Sequence, residues 1–237
     1  MSSSINLKLF STHPHPCSYL EDQEATTVFV DPEAEMDANL YSRLSDLGFR
    51  RSGQHVYRPQ CASCNACLPV RVRLAGFKPN RTQRRTLKRN ADLTLSLVEN
   101  IDTDECYHLY VRYISERHRD GDMYPPSRAQ YRGFLTNEWG VTRFLEARLD
   151  GHLVGIAVCD ELEHGLSAVY TYFDPDLTNR SLGSWFILQQ ILWTYRLNLP
   201  YLYLGYWIRE CQKMNYKTQY QPLECLRAGF WATLLAN

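Results

Sequence analysis

Residues 166–206 read LSAVYTYFDPDLTNRSLGSWFILQQILWTYRLNLPYLYLGY, and the fold turns on how this stretch divides. Its first eight residues, 166–173, are β-branched and aromatic, the composition of a buried strand. Asp174-Pro175-Asp176 breaks the run, because proline fixes φ and donates no ladder hydrogen bond. From Ser181 to Leu197 apolar residues recur at Leu182, Trp185, Phe186, Ile191, Leu192 and Tyr195, the stripe of a helix packed on a sheet. Pro200 stops that helix, and Tyr201-Leu202-Tyr203-Leu204 returns as a short strand. Strand, helix and strand in this order predict a βαβ crossover. Ligands of such units sit at the carboxyl end of the first strand and the amino end of the helix. That end carries Tyr170, Tyr172, Asp174, Arg180 and Ser181, a polar group between two apolar segments.

Upstream, residues 142–148, 152–159 and 166–173 read as three antiparallel strands, the first two joined by a tight Asp150-Gly151 turn. Two helices precede them. One is opened by Asp102 or Thr103 and runs to about Arg119; the other is capped by Ser127 and runs to about Thr136. Residues 93–98 alternate as a strand. This order predicts an α+β fold with an acyltransferase domain of the GCN5-related N-acyltransferase type over residues 91–237. Residues 1–90 predict a smaller cysteine-bearing N-terminal domain. It holds a short strand at 26–30, a helix at 36–47 ended by Gly48, strands at 56–58 and 70–74, and a helix over 80–90 capped by Asn80.

The 237 residues are 44% hydrophobic and 22% charged, which describes a globular chain with a sizeable core. The start, MSSSINLKLF, has no apolar run of signal-peptide length, and no segment is long enough to span a bilayer, so the expected address is the cytoplasm. Formal net charge is zero, but the charge is segregated. Residues 71–89 hold Arg71, Arg73, Lys78, Arg81, Arg84, Arg85, Lys88 and Arg89 with no acidic residue, whereas the first fifty residues are net acidic. A polarised protein of this kind positions polyanions.

Cys61, Cys64 and Cys67 form a C-x2-C-x2-C run with Cys17 upstream. Thiolates at this spacing suit a tetrahedral zinc site or part of an iron–sulfur signature, with the fourth ligand open among Cys17, His13, His15 and His55. The bland alternative is three small buried residues in a turn. Cys106, Cys159, Cys211 and Cys225 sit in apolar contexts that suit core packing. Arg81, Arg84, Arg85, Lys88 and Arg89 are read as contacts to a nucleic-acid backbone, the alternative being a solvated helix face. The helix start Arg180-Ser181-Leu182-Gly183-Ser184-Trp185 falls where CoA-dependent acyltransferases cradle a pyrophosphate. Trp185 replaces a small residue there and argues against CoA. In the tail, Lys213 and Lys217 stand one helical turn apart, placed to meet an anion or simply to sit in a loop packed by tyrosines.

The stretches HPCSYLEDQEATTVFVDP, LGFRRSGQHVYRPQCASCNACLPVRV, FKPNRTQRRTLKRNADL, RHRDGDMYPPS and PYLYLGYWIRECQKMNYKTQYQPLE, with the crossover unit, carry a resemblance that runs from about residue 15 to 231. The chain resembles the bacterial aspartate/glutamate leucyltransferases, which are related to eukaryotic arginyl-tRNA–protein transferases. The resemblance implies transfer of leucine from leucyl-tRNA to proteins starting with Asp or Glu, which marks them for degradation. It implies leucyl-tRNA and acidic protein N-termini as partners, no membrane, and no cofactor for the transfer. The eukaryotic relatives hold a metal or iron–sulfur cluster on cysteines; here Cys17 is followed by Leu20 where a second cysteine would stand.

On this reading Asp174 is the expected proton acceptor or amine anchor, and Tyr170 or Tyr172 bonds the reacting ester. Arg119, Arg180, Lys213 and Lys217 are the cations available to an acidic side chain, Asp122 orients the peptide or holds an arginine, and Ser181 lies beside them. Two other functions fit parts of the sequence. One is an RNA-binding module with a zinc knuckle and an inert acyltransferase-like domain, and the other is a CoA-dependent N-acetyltransferase.

Overall fold

In the computed structural model, which describes residues 7–234, eight strands join into one sheet drawn from both halves of the chain. Residues 1–6, part of the start in which no signal peptide was read, and residues 235–237 lie outside the described residues. The N-terminal part builds its own small antiparallel sheet from β1 (Leu9–Ser11), β4 (Thr27–Val30), β5 (Arg50–Ser52) and β6 (His55–Pro59), in the order β1-β4-β6-β5. A two-residue ladder pairs β2 (His15–Pro16) with β3 (Glu24–Ala25). Helix α1 (Ala38–Asp46) starts where the Asp37 carboxylate accepts from the Leu40 amide at 2.7 Å, and it leaves through Gly48 at φ +86°.

The large sheet holds β7 (Leu68–Arg73), β8 (Thr94–Val98), β9 (Thr142–Leu149), β10 (His152–Leu162), β11 (Gly165–Phe173), β12 (Tyr201–Trp207), β13 (Leu223–Arg227) and β14 (Phe230–Thr233). Their order is β14-β13-β7-β12-β11-β10-β9-β8. Strand β7 therefore lies between β12 and β13, and a division near residue 90 would cut through the sheet. The β13–β14 hairpin has no counterpart in the sequence reading, and β13 pairs with β7 across about 150 residues of chain.

Helices α3 (Asp104–Arg117) and α4 (Arg128–Leu135) cover one face of the sheet. Tyr110, Ile114, Tyr131 and Leu135 pack there on Ile156, Val158 and Tyr172. Further along the same face, α1 sets Tyr41 and Leu44 against Leu162 and Tyr203. Helices α2 (Arg81–Arg89) and α5 (Leu182–Arg196) cover the other face, against Leu166, Leu202 and Leu204 for one part and Ala157 and Cys159 for the rest. Helix α5 ends before Pro200 acts. Asn198 adopts a left-handed φ of +55° and the Leu199 amide turns back to the Thr194 carbonyl at 3.1 Å, closing the helix two residues earlier.

The two parts are joined by a buried ion pair. Arg51 of β5 donates Nε to Asp160 of β10 at 2.6 Å, and the Tyr41 hydroxyl donates to the same carboxylate at 3.0 Å. Arg51 Nη2 at 2.8 Å and the Thr142 hydroxyl at 2.9 Å bond the other oxygen, so the buried carboxylate is satisfied from three elements. Among the described residues, no helix is long and apolar enough to cross a membrane.

Candidate active site

Strands β11 and β12 run parallel through only three register pairs, Gly165↔Tyr201, Leu166↔Leu202 and Ser167↔Tyr203. Beyond these they part. A bulge interrupts β10–β11 pairing between Val158 and Cys159, and another interrupts β12–β7 pairing between Tyr203 and Gly205. Bulges bend a strand and release its ladder, so each helps to turn its strand away from the other. The parting opens at the carboxyl ends of both strands, where ligands of crossover units bind.

Arg50 reaches into this parting from β5. Its Nη2 donates to the Ala168 carbonyl of β11 at 2.7 Å, while Nη1 is buried without a hydrogen-bond partner among the described residues. Gly205 makes the space: a Cβ there would stand 2.5 Å from Nη1, and its φ of +75° suits only glycine well. Lys217 comes from the 3₁₀ segment Gln212–Gln219, is only 7% exposed, and donates Nζ to the Tyr206 carbonyl of β12. Burial, and then the neighbouring Arg50 charge, push the Lys217 ammonium down to about 7. Neither cation has an ion-pair partner among the described residues. Arg50 is half-buried with Nη1 sealed from solvent and Lys217 is buried, so keeping both charged without a counter-ion is costly.

Tyr206 and Tyr216 lie within electrostatic reach of Arg50. Tyr113 of α3 packs on Tyr170 at 6.5 Å between ring centroids, and its hydroxyl lies within electrostatic reach of Tyr216, which in turn feels Arg50. Burial keeps the Tyr170 phenol neutral far above its ordinary range, so it is a hydrogen-bond donor at every physiological pH.

The residues expected from the sequence are dispersed differently from that expectation. Tyr172 is fully buried, with its hydroxyl 2.8 Å from that of Tyr131, and serves the core between sheet and α4. Asp174 is held by Arg112, a residue the sequence did not single out, with Nη2 at 3.0 Å from one oxygen; the Asp176 amide donates to that same oxygen at 3.0 Å. Its carboxylate is thereby committed, which argues against its acting as a proton acceptor. Arg180 pairs bidentately with Asp92 at 2.8 Å, and Lys213 pairs with Asp120 at 3.0 Å. Arg119 is exposed and donates Nε to the Ser115 carbonyl; Asp122 is exposed and uses its carbonyl to accept from Gln130. Ser181 adopts a left-handed φ of +54° ahead of α5 and makes no capping hydrogen bond. Of the four expected cations, Arg180 and Lys213 are ion-paired, whereas among the described residues Arg119 and Lys217 bond only backbone carbonyls, and Lys217 alone of these two is buried. Nothing local in the sequence distinguishes Arg50 from any other strand arginine.

Trp185 corrects a second expectation. It is buried on the sheet-facing side of α5 beside Phe186 and does not lie over the helix start. What occupies that start instead is the Arg180–Asp92 pair.

The thiols of Cys17, Cys61, Cys64 and Cys67 are half-buried and share one neighbourhood. Burial, followed by the nearby Cys61, Cys17, Cys64 and Cys211 sulfurs, pushes the Cys67 thiol up to about 12. Cys211 belongs to this neighbourhood and not to the core, unlike Cys106, Cys159 and Cys225. Among the described residues, no three His, Cys, Asp or Glu side chains converge as a metal-binding set. The donors as placed do not close a zinc or iron–sulfur site.

On the opposite face of the sheet, α2 is nucleated by a full capping box between Asn80 and Gln83. It buries Gln83 and Thr86 and leaves Arg81, Arg84, Arg85, Lys88 and Arg89 exposed without ion-pair partners among the described residues. Arg89 instead donates to the Asn179 carbonyl beside the start of α5. The basic run shortens at its other end. Arg71 is buried, bonded to Glu224 at 2.9 Å and stacked over Tyr201, and Arg73 also faces Glu224. Arg71 thus holds β7 to β13 and is not available to phosphates, while Arg73 is exposed beside Glu224.

A meander of antiparallel strands, a crossover helix and a parallel strand that parts from its neighbour define a GCN5-related acyltransferase fold, here with a cationic site at the parting. Two family models match the chain: arginine-tRNA-protein transferase, N terminus, over residues 15–85, and arginine-tRNA-protein transferase, C terminus, over residues 105–227. The aspartate/glutamate leucyltransferase of Teredinibacter turnerae is 60% identical over 235 residues, covering 99% of this chain and 97% of that protein. The protein of the same name from Saccharophagus degradans is 56% identical over 236 residues, covering 99% and 100%. A solved GCN5-related glucosamine N-acetyltransferase region of a fungal multi-domain β-N-acetylglucosaminidase overlaps with a TM-score of 0.47 at 9% identity, covering 79% of this chain and 21% of that one. The chain belongs to the aspartate/glutamate leucyltransferases, within the arginine-tRNA-protein transferase family.

Proposed function

We propose that the protein transfers leucine from leucyl-tRNA to the α-amine of polypeptides that begin with Asp or Glu, in the cytoplasm, creating a degradation signal. The observation that carries the acceptor assignment is the half-buried Arg50 beside the buried Lys217, two cations without a carboxylate partner among the described residues at the parting of β11 and β12. The side-chain carboxylate of the first acceptor residue supplies the missing anion, accepting from the free Arg50 Nη1 and from Lys217. A neutral first residue leaves both charges unpaired, which is a strong basis for rejection.

With its side chain held there, the α-amine lies in the parting. An α-amine has a pKa of about 7.7–8.0, so part of it is already neutral at cytosolic pH and no strong base is required. Its nitrogen attacks the carbonyl carbon of the leucyl ester, the carbon–oxygen bond to the tRNA 3′ ribose breaks, and the ribose oxygen takes up the proton released from the amine. The Tyr170 phenol is the donor suited to the carbonyl oxygen as negative charge develops on it. Positioning supplies most of the remaining rate. The exposed bases of α2 take the phosphate backbone of the donor tRNA.

Purified protein mixed with leucyl-tRNA and peptides beginning with Glu, Asp or Ala tests this directly. Leucine should appear on the Glu and Asp peptides and not on the Ala peptide; leucine on none of them overturns the reading. Zinc and iron analysis of the same preparation reads the thiol neighbourhood independently of the transfer.

A further inference from the structure

A cleft of about 1000 Å³ opens beside the parted strands, on the face of the sheet that α1 covers. Its volume is at the upper end of ordinary ligand pockets, far more than one side chain fills. Three arginines line it, Arg58, Arg209 and Arg227, with Glu210 as the one acidic lining residue among the described residues. None of the three forms an ion pair among the described residues. Arg58 donates to the Gln60 side chain at 3.2 Å and lies over the Phe49 ring, and Arg209 lies 6.0 Å from the Trp207 ring centroid. The cleft is thus cationic, and Cys61, Cys64 and Cys67 line it together with Leu68 and Pro69.

Tyr206 is the partition between this cleft and the Arg50–Lys217 pair. Its carbonyl receives Lys217 Nζ, its hydroxyl donates to the Gly48 carbonyl at 2.8 Å, and both Arg50 and Arg58 lie within electrostatic reach of that hydroxyl. A chain entering at Arg50 therefore leaves past Tyr206 into the cleft. RNA has a different approach. The unpaired bases of α2 lie on the opposite face, against α5, and the buried Trp207 ring offers no free face on which a base could stack.

We propose that this cleft holds the second and following residues of the acceptor polypeptide and favours acidic side chains among them, with Arg58 and Arg209 as the contacts. The inference rests on the first residue being held at Arg50 and Lys217. Exposed charge pairs each contribute a few tenths to one kcal/mol, so two or three of them amount to about a three- to tenfold preference.

The test compares peptides Glu-Glu-Asp-Ala, Glu-Ala-Ala-Ala and Glu-Lys-Lys-Ala, each with a C-terminal fluorophore, on the full-length protein and on its Arg209→Glu and Arg58→Gln variants. Two readouts are taken: kcat/KM for leucine transfer, and peptide affinity by anisotropy without tRNA. The wild type should rank them acidic, neutral, basic in both, with a spread that shrinks as salt is added. Arg209→Glu should reverse the order of the acidic and basic peptides, and Arg58→Gln should narrow the spread. Equal affinities for the three peptides in the wild type, or an order unchanged by Arg209→Glu, overturn the proposal. So does an equal loss of transfer for all three peptides with a raised KM for leucyl-tRNA, which would assign the cleft to the donor. Should no peptide accept leucine while the affinities still follow the charge order, the transfer reading fails and the cleft assignment stands.

Discussion

Lys217 is kept where its charge is expensive, and that cost is measurable. An ordinary lysine titrates at 10.5 and this one near 7, because burial and the Arg50 charge disfavour its ammonium form. Between about pH 7 and 10.5 the unfolded chain therefore binds a proton that the native chain does not. Stability rises with pH across that window, and the penalty is fully present below about 7. Lys217→Met should raise the unfolding free energy at pH 6.5 by about 1–2 kcal/mol, read from chemical denaturation, with a Tm higher by a few degrees. Function should move the other way. An acidic acceptor pairs best with the protonated lysine, so KM for a Glu peptide should climb as pH passes 7, and Lys217→Met should flatten that climb. Arg50 stays charged throughout and is the stronger anchor. Arg50→Met should lower kcat/KM for Glu peptides by on the order of 10²–10³, the loss expected when one partner of a buried charge pair is removed. A drop under about threefold in a steady-state assay would remove Arg50 from acceptor recognition.

Helix α2 shows how an element can be read well locally and only partly in function. Its cap, its length and its basic face follow from residues within nine positions of one another, as do the Asp37, Thr103 and Ser127 caps of the other helices. Alanine at Arg81, Arg84, Arg85 or Lys88 should weaken binding of any tRNA severalfold. Each should also reduce the slope of log affinity against log salt by about 0.7–0.9, measured by filter binding across a salt series. Arg71 belongs to the same run in sequence, yet it serves the sheet, because Glu224 and the Tyr201 and Trp231 rings arrive from 130 or more residues away. Similarly, Tyr170 and Tyr172 alternate along β11 as read, but only the packing of α3 and α4 decides that Tyr172 is sealed against Tyr131.

At the scale of the molecule, the N-terminal part is structurally bound into the acyltransferase sheet. Strand β7 fills the gap between β12 and β13, and the Arg51–Asp160 pair fastens the small sheet to β10. A fragment of residues 91–237 should therefore fail to give a cooperative unfolding transition, since two interior strands would lose their hydrogen-bonding neighbour. Arg51→Met in the full chain should cost about 3–5 kcal/mol in denaturant unfolding, because it strands a buried carboxylate.

The sequence by itself determined the helices, the central strands and their order, the crossover unit, the basic helix and, through long shared motifs, the family. These depend on periodicity and on capping residues a few positions apart. Only the tertiary structure decided which charges remain free. Asp92, Asp120 and Arg112 close over Arg180, Lys213 and Asp174, while Arg50 and Lys217, 167 positions apart in the chain, are left without an anion at the parting of two strands. Pairing of charges is a property of distance in space, and distance along the chain carries no record of it.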